Sequence, residues 1–248
     1  LAAPVLILDQ TDSTNAEARR RAEAGEAGPV WIAARLQSEG RGRRGRRWED
    51  ARDNLASTLL VTIDRCPAEA AQLTFVAALA VADFLDRYVP PALVTIKWPN
   101  DVLLDGRKAS GILIESGKSD QGGLWMAIGI GINLATAPQG TERPATSVCE
   151  HLRHDVAAVP ALEEATQVLA QCFSVWFERW SRLGFTPILD AWVVRTPGLF
   201  GPCTARLTNE VFVGTADGVE ADGALRLRLA DGSLKVISAG DVFFGEAA

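Results

Sequence analysis

From Gly40 to Arg47 the chain reads GRGRRGRR, five arginines and three glycines in eight positions. Guanidinium groups present forked donors that suit phosphate or carboxylate, and glycines let backbone N–H groups come close to an anion. The spacing Gly40-x-Gly42-x-x-Gly45 matches a dinucleotide-binding fingerprint. Gly40-x4-Gly45 is also a near miss of a P-loop, lacking the Lys and the Ser or Thr that should follow. A basic cluster further fits a nucleic-acid arm, or a charged hairpin held in water.

Both phosphate-loop motifs require a helix directly after the glycines, because the helix N-terminus holds the phosphate. Here a strand precedes the loop (VWIAARLQ, 30–37), but Trp48-Glu-Asp-Ala-Arg-Asp-Asn leads straight into the β-branched run NLASTLLVTI. The glycines therefore join strand to strand. Clustered arginines repel, and glycines raise the entropy lost on ordering, so the loop is expected to be mobile until an anion supplies counter-charge. The net charge of the whole chain is -6, which demotes the nucleic-acid reading, since non-specific affinity comes from neutralising phosphates.

Two further segments carry polar groups where a ligand can approach. In MAIGIGIN, Ile128, Ile130 and Ile132 point to one face and Gly129, Gly131 and Asn133 to the other, leaving a bare strip on the sheet. The same pattern is also compatible with close packing under a helix. In KWPNDVLLDGRKASGILIES, Lys97 ends one strand, Asn100 and Asp101 form a turn, and Lys108 enters the next strand beside Ala109, Ser110 and Gly111. A lysine followed at once by small residues can reach into a pocket. Cys149, His151 and His154 lie close together, but no second Cys/His pair completes a four-ligand zinc site, and a polar loop is the preferred reading.

The elements that must hold these groups alternate in type. Residues 5–8 read as a buried strand and 15–24 as a helix, with Thr14 and Glu17 in the relation of a capping box and Gly25 as the stop. Pro67 opens an apolar helix reaching towards Tyr88. Short strands follow at 94–98, 102–104, 109–116 and 124–134, with Asp105-Gly106 as a hairpin turn. Over 161–183, Leu162, Leu169, Phe173, Trp176, Trp180 and Leu183 form one helical stripe. After Pro197, three Asp-Gly pairs (217–218, 222–223, 231–232) separate short alternating strands, which suits a small barrel. No apolar run approaches the roughly 20 residues of a membrane span. Four scattered cysteines without a CxxC pair suit a reducing cytoplasm.

Taken together, DSTN (12–15), QSEGRGRRGRRW (37–48), KWPND (97–101), GRKASGILIE (106–115) and GIGIN (129–133) resemble the bacterial biotin–protein ligases, in order and over essentially the whole chain. The resemblance implies an α+β fold: a mixed β-sheet catalytic domain flanked by helices over 1–195, related to class II aminoacyl-tRNA synthetases, and an SH3-like β-barrel over 196–248. It implies a two-step reaction, in which biotin and ATP give biotinyl-5'-AMP and a lysine of a biotin carboxyl carrier domain then takes the biotinyl group. Only twelve residues precede Ser13, so the expected type is the monofunctional one, with no DNA and no membrane partner, and with a homodimer allowed.

By the same resemblance, Ser13, Thr14, Asn15, Gln37, Arg41, Gly42, Arg43, Lys108 and Gly111 bind biotin. Arg43, Arg46, Trp48, Asn100, Lys108 and Asn133 serve the nucleotide. Lys108, Arg43 and Arg41 are the catalytic set, with Lys108 beside the carboxylate and the α-phosphate. Mg²⁺ is expected through the ATP phosphates and not through a side-chain cluster. The rivals are a lipoate-type acyl-adenylating ligase and a nucleic-acid-binding module.

Overall fold

A computed structural model of the chain describes residues 1–49, 52–141 and 144–245. Asp50 and Ala51 of the connection after Trp48, Glu142 and Arg143 of the 135–158 loop, and the last three residues of the 196–248 segment lie outside the described residues. In chain order the elements are β1 (Val5–Leu8), α1 (Thr14–Glu23), β2 (Val30–Ala34), β3 (Leu55–Ile63), α2 (Pro67–Ala71), α3 (Leu73–Leu85), β4 (Val94–Lys97), β5 (Asp101–Leu104), β6 (Arg107–Lys118) and β7 (Leu124–Ile132). Then come α4 (Leu162–Leu183), α5 (Thr186–Val194), β8 (Pro202–Arg206), β9 (Val211–Val219), β10 (Leu225–Leu229), β11 (Leu234–Ile237) and β12 (Asp241–Phe244).

The first seven strands form one mixed sheet in the order β1-β2-β3-β7-β6-β5-β4, parallel only between β1 and β2. The period-two pattern of β7 sets its two faces. Ile128, Ile130 and Ile132 enter the main core with α3 and α4, and the glycine face turns towards α1. Helix α3 is apolar all round because it is covered all round: eleven of its thirteen residues are buried between the sheet, α4 and α5. This corrects one expectation from the sequence. Pro67–Leu85 has the length and the mean hydropathy, 1.5, to cross a membrane, but 72% of that window is buried in the core. Gln72, between α2 and α3, keeps helical dihedrals and ties three elements together. Its Nε2 donates to Ala221 O at 2.7 Å, and its Oε1 accepts from Trp180 Nε1 at 2.7 Å.

The remaining strands form an antiparallel sheet in the order β11-β10-β9-β8-β12. Its edge strands β11 and β12 are not paired with each other, so the expected closed barrel is instead an open five-stranded sheet. Asp222-Gly223 and Asp231-Gly232 make turns, whereas Asp217-Gly218 lies inside β9, where the register with β10 shifts between Leu225 and Leu227. Gly218 takes φ 100 there, so that Asp-Gly pair marks a bulge and not a turn. Two helix details also differ from expectation. The N-cap of α1 is Ser13 and makes no side-chain cap bond, because the Thr14 hydroxyl turns inward and Glu17 pairs with Arg20 and Arg21. Leu183 ends its stripe 67% exposed, just before Gly184.

Candidate functional site

All thirteen residues named from the sequence line one cavity of about 280 Å³ on the α1 face of the large sheet. Its floor is the bare strip of β7. A Cβ at Gly131 would stand 2.5 Å from the Trp48 ring, and one at Gly129 would collide with Asn15 Oδ1, so only glycine admits both side chains.

A buried polar chain fixes the end near α1. Asp12 accepts from Arg20 at 2.8 Å twice and from the Ser13 N–H at 2.7 Å, which pins the start of the helix. The bonds from Arg20 hold the Asp12 carboxyl well below the usual carboxylate range, against the opposing effect of burial. The Thr14 N–H and hydroxyl both reach Gln37 Oε1, at 2.8 and 3.1 Å. Asn15 spends both amide protons within the protein, on Leu113 O at 3.2 Å and Glu115 Oε2 at 2.8 Å. The Thr58 hydroxyl lies 2.8 Å from both Thr14 Oγ1 and Asn15 Oδ1. Glu115 and Thr58 lock the chain from beneath. Neither had been singled out from the sequence.

The arginine loop is a formed hairpin. Gly42 N–H donates to Arg46 O at 2.7 Å, and Trp48 N–H to Gly40 O at 2.9 Å. Arg44 at φ 58 and Gly45 at φ 72 turn its tip. The expectation of a mobile loop weighed the arginines alone, and the fold adds a carboxylate from the far end of the chain. Asp241, at the start of β12, meets Arg46 at 2.8 Å and Arg44 at 3.6 Å. Arg43 turns the other way, half-buried, and its Nη1 donates to Asn100 Oδ1 at 3.1 Å. Burial pulls this guanidinium below its ordinary value. Arg44 and Arg46 act in the same direction, and Asp101 and Asp241 oppose it. A half-desolvated cation among other cations is a site for an anion.

The fourth wall comes from the hairpins after KWPND. Asp105 and Gly106, at φ 51 and 72, make the tight turn between β5 and β6. Val102 pairs with Ser110 but Leu103 with Lys108, so Ala109 is an extra residue in β6. That bulge brings Lys108 to the face of Asp101 and Gly111, where Nζ meets Asp101 Oδ1 at 2.6 Å. The same Nζ lies 5.8 Å from the Trp48 ring centroid. Asn133 is buried. Its Nδ2 donates to Thr146 O at 3.1 Å, which fixes the amide, and its Oδ1 has no hydrogen-bond partner among the described residues.

A cavity lined by Lys108 and by arginines of the hairpin, Arg43 among them, between a hydroxyl-and-amide end and an indole can hold a ligand with negative charge at its middle. Residues 7–133 match the biotin/lipoate A/B protein ligase family, and residues 198–245 match the biotin protein ligase C-terminal domain. The chain belongs to this ligase family. It is 43% identical to a biotin–[acetyl-CoA-carboxylase] ligase of Paracoccus denitrificans, over 96% of this chain and 100% of that one. It is 30% identical to the bifunctional ligase/repressor BirA of Bacillus subtilis, over 93% of this chain and 71% of that one. The fold is that of the Aquifex aeolicus biotin protein ligase solved in complex with biotin and ATP (TM-score 0.77, 23% identity, covering 98% and 99% of the two chains). It is also that of the Leishmania major biotin protein ligase solved with biotinyl-5-AMP (TM-score 0.63, 24% identity, covering 96% and 100%).

Within this ligase fold Asp101 and Asp241 are, with Glu115 and Asp12, charged residues at the site that sequence reasoning left without a role. Asp101 sits in the KWPND turn and was legible as a neighbour of Lys108. Asp241 had no signal, being 195 residues from Arg46. Of the Cys149, His151 and His154 group, His151 Nε2 lies 2.9 Å from Thr146 Oγ1, and among the described residues no three His, Cys, Asp or Glu converge on a metal position.

Proposed function

We infer that the chain is an ATP-dependent ligase that activates biotin as biotinyl-5'-AMP and transfers it to a lysine of a biotin carboxyl carrier domain of a biotin-dependent carboxylase. The observation that carries this reading is the single cavity in which Lys108, half-buried Arg43 and the Thr14–Gln37 chain face one another. In the first step the biotin carboxylate oxygen bonds to the α-phosphorus of ATP, and the bond to pyrophosphate breaks. Lys108 Nζ offsets the negative charge that gathers between carboxylate and phosphate, and Arg43 holds the phosphate of the product. Arg41 and Gly42 close over it, and Trp48 and Arg46 bound the nucleotide side. Thr14, Ser13 and Gln37 address the ureido ring. Asn15 acts chiefly by holding that end rigid, because its amide protons are already committed.

Mg²⁺ supplies charge neutralisation to the triphosphate when bound. The donor set fits a cation held mainly by phosphate oxygens: Asn133 Oδ1, without a hydrogen-bond partner among the described residues, offers one oxygen, while Asn100 Oδ1 already accepts from Arg43. We take 1–195 as the catalytic domain, of class II synthetase type, and 196–248 as an SH3-like open sheet that buttresses the arginine hairpin. A cytoplasmic location fits the four free cysteines. The test is pyrophosphate exchange into ATP, measured with biotin and then with lipoate. Exchange with lipoate and not biotin would overturn the biotin assignment in favour of the lipoate type.

A further inference from the structure

Lys108 stands beyond the end of β7. The β6–β7 ladder begins with Ser110 opposite Ile132, and past the Ala109 bulge segment 144–147 takes the place of β7 beside β6. The Lys108 N–H donates to Pro144 O at 2.9 Å, and the Thr146 N–H donates to Lys108 O at 2.9 Å. Thr146 O in turn accepts from Asn133 Nδ2 at 3.1 Å. One fully buried residue, Thr146, therefore sets the Lys108 backbone and the Asn133 amide relative to each other. Lys108 and Asn133 line the cavity, and Thr146 stands behind them.

A polar cluster outside the cavity holds Thr146. Its hydroxyl lies 2.9 Å from Nε2 of His151, the last residue of the helical turn Val148–His151, and Arg107 Nη2 lies 3.0 Å from the same nitrogen. A guanidinium has only protons to give, so His151 Nε2 is unprotonated and accepts, and the Thr146 hydroxyl donates to it. Arg107 Nη1 donates to Glu150 Oε2 at 3.0 Å, and Glu150 Oε1 accepts from the N–H and the hydroxyl of Ser147 at 3.0 and 3.1 Å. Burial acts against the Glu150 carboxylate, but the bonds from Ser147 and Arg107 outweigh it and hold the carboxyl below its ordinary value. No role assigned above to biotin or nucleotide uses Arg107, Glu150 or His151.

We propose that His151 is a positioning residue for the first step: its unprotonated Nε2 holds Thr146, and through Thr146 it sets Lys108 against Asn133 along the phosphates. The proposal rests on the ligase reading. Lys108 Nζ meets the charge that gathers between carboxylate and α-phosphate, and Asn133 Oδ1 faces the cation that the phosphates carry. Their separation must therefore match one nucleotide geometry, and a misplacement of about 1 Å in such a group costs on the order of 100-fold in rate. The biotin end is anchored separately, by the bonds among Thr14, Gln37 and Thr58.

His151→Phe keeps a ring at this position and removes the acceptor, and Thr146→Val keeps the side-chain shape and removes the hydroxyl. His151→Gln puts an amide oxygen near the place of Nε2. Two quantities are compared: biotin affinity by calorimetry, and single-turnover pyrophosphate release at saturating biotin and ATP. His151→Phe and Thr146→Val should each slow release about tenfold or more with biotin affinity within about threefold, and His151→Gln should release within about threefold of the unsubstituted chain. Release at the unsubstituted rate in His151→Phe or Thr146→Val overturns the proposal. So does a His151→Gln chain as slow as His151→Phe, because the acceptor would then not be what matters. A parallel loss of biotin affinity overturns it too, by marking a general loosening of the cavity. Thr146→Val decides the matter should His151→Phe fail to fold. If the unsubstituted chain shows no biotin-dependent release, the ligase reading falls and the proposal with it, whereas release that the substitutions leave unchanged overturns the proposal alone.

Discussion

Replacing Lys108 by Met tests a residue whose structural and chemical roles can be separated. Lys108 Nζ and Asp101 Oδ1 are 2.6 Å apart, and the two side chains are 30% and 8% exposed. Breaking a fully buried pair by removing one partner costs about 3–5 kcal/mol. The partial exposure of Lys108 reduces this to about 2–3 kcal/mol, or roughly 5–10 °C in Tm for a chain of this size. The stability loss comes from removing one charge of a partly buried pair. Lys108→Met with Asp101→Asn should therefore recover most of it, since neither side chain then carries charge.

The reaction should not recover. A cation aimed at charge that builds up in the transition state contributes about 2–4 kcal/mol, so single-turnover pyrophosphate release at saturating biotin and ATP should slow roughly 30- to 1000-fold. The double variant should stay slow while its Tm rises. Two results would refute the reasoning: a Lys108→Met rate within threefold of the unsubstituted chain, or a rate that returns in the double variant together with stability. The second would mean that Lys108 acts only by neutralising Asp101.

Arg43→Gly should leave adenylate synthesis measurable but release the intermediate, so that albumin incubated with the variant, biotin and ATP becomes biotinylated; equal labelling by the unsubstituted chain would refute a retaining role. Asp241→Ala removes a counter-charge contributing about 1 kcal/mol to the closed hairpin, so trypsin should cut between Arg41 and Arg47 about fivefold faster, and biotin with ATP should slow cutting in both proteins; no change would mean that the loop closes without Asp241. Cys66 and Cys149 are exposed and Cys172 and Cys203 are buried, and burial pushes the Cys203 thiol up to about 11. A raised thiol pKa keeps the proton on through neutral and mildly alkaline pH, so an aromatic disulfide reagent at pH 8 should titrate two thiols in the folded protein and four in denaturant.

The parts of the site legible in the sequence are those fixed by local periodicity. Strict alternation in β7 has one geometric outcome, so the bare strip of Gly129 and Gly131 and the position of Asn133 followed directly. Asp105-Gly106 likewise has one comfortable turn, and the hairpin it makes puts Lys108 near Asp101. Even here the sequence carried no sign that Ala109 is a bulge, and without that bulge Lys108 and Gly111 would lie on opposite faces. Local rules failed where a distant partner outbid the near one. Thr14 has the spacing of a capping residue, but its hydroxyl is within reach of Gln37 and Thr58, which are brought up by β2 and β3.

Asp241 shows the same effect in the charge pattern. The run of arginines argued for a loop disordered by its own repulsion, and that argument is sound for the segment taken alone. In the fold, β8 and β12 pair so that Asp241 stands opposite Arg206, and the large sheet sets Arg44 and Arg46 within 3.6 Å and 2.8 Å of its carboxylate. One carboxylate cannot neutralise five guanidinium groups: Asp241 pairs with Arg44 and Arg46, while Arg43, the half-buried cation facing the cavity, bonds instead to the neutral amide of Asn100. The C-terminal sheet thus supplies counter-charge to the tip of the loop and leaves the cavity-facing guanidinium without a paired carboxylate at contact distance among the described residues. A loop held in that state can close over a phosphate at little further entropic cost and still gain from its charge.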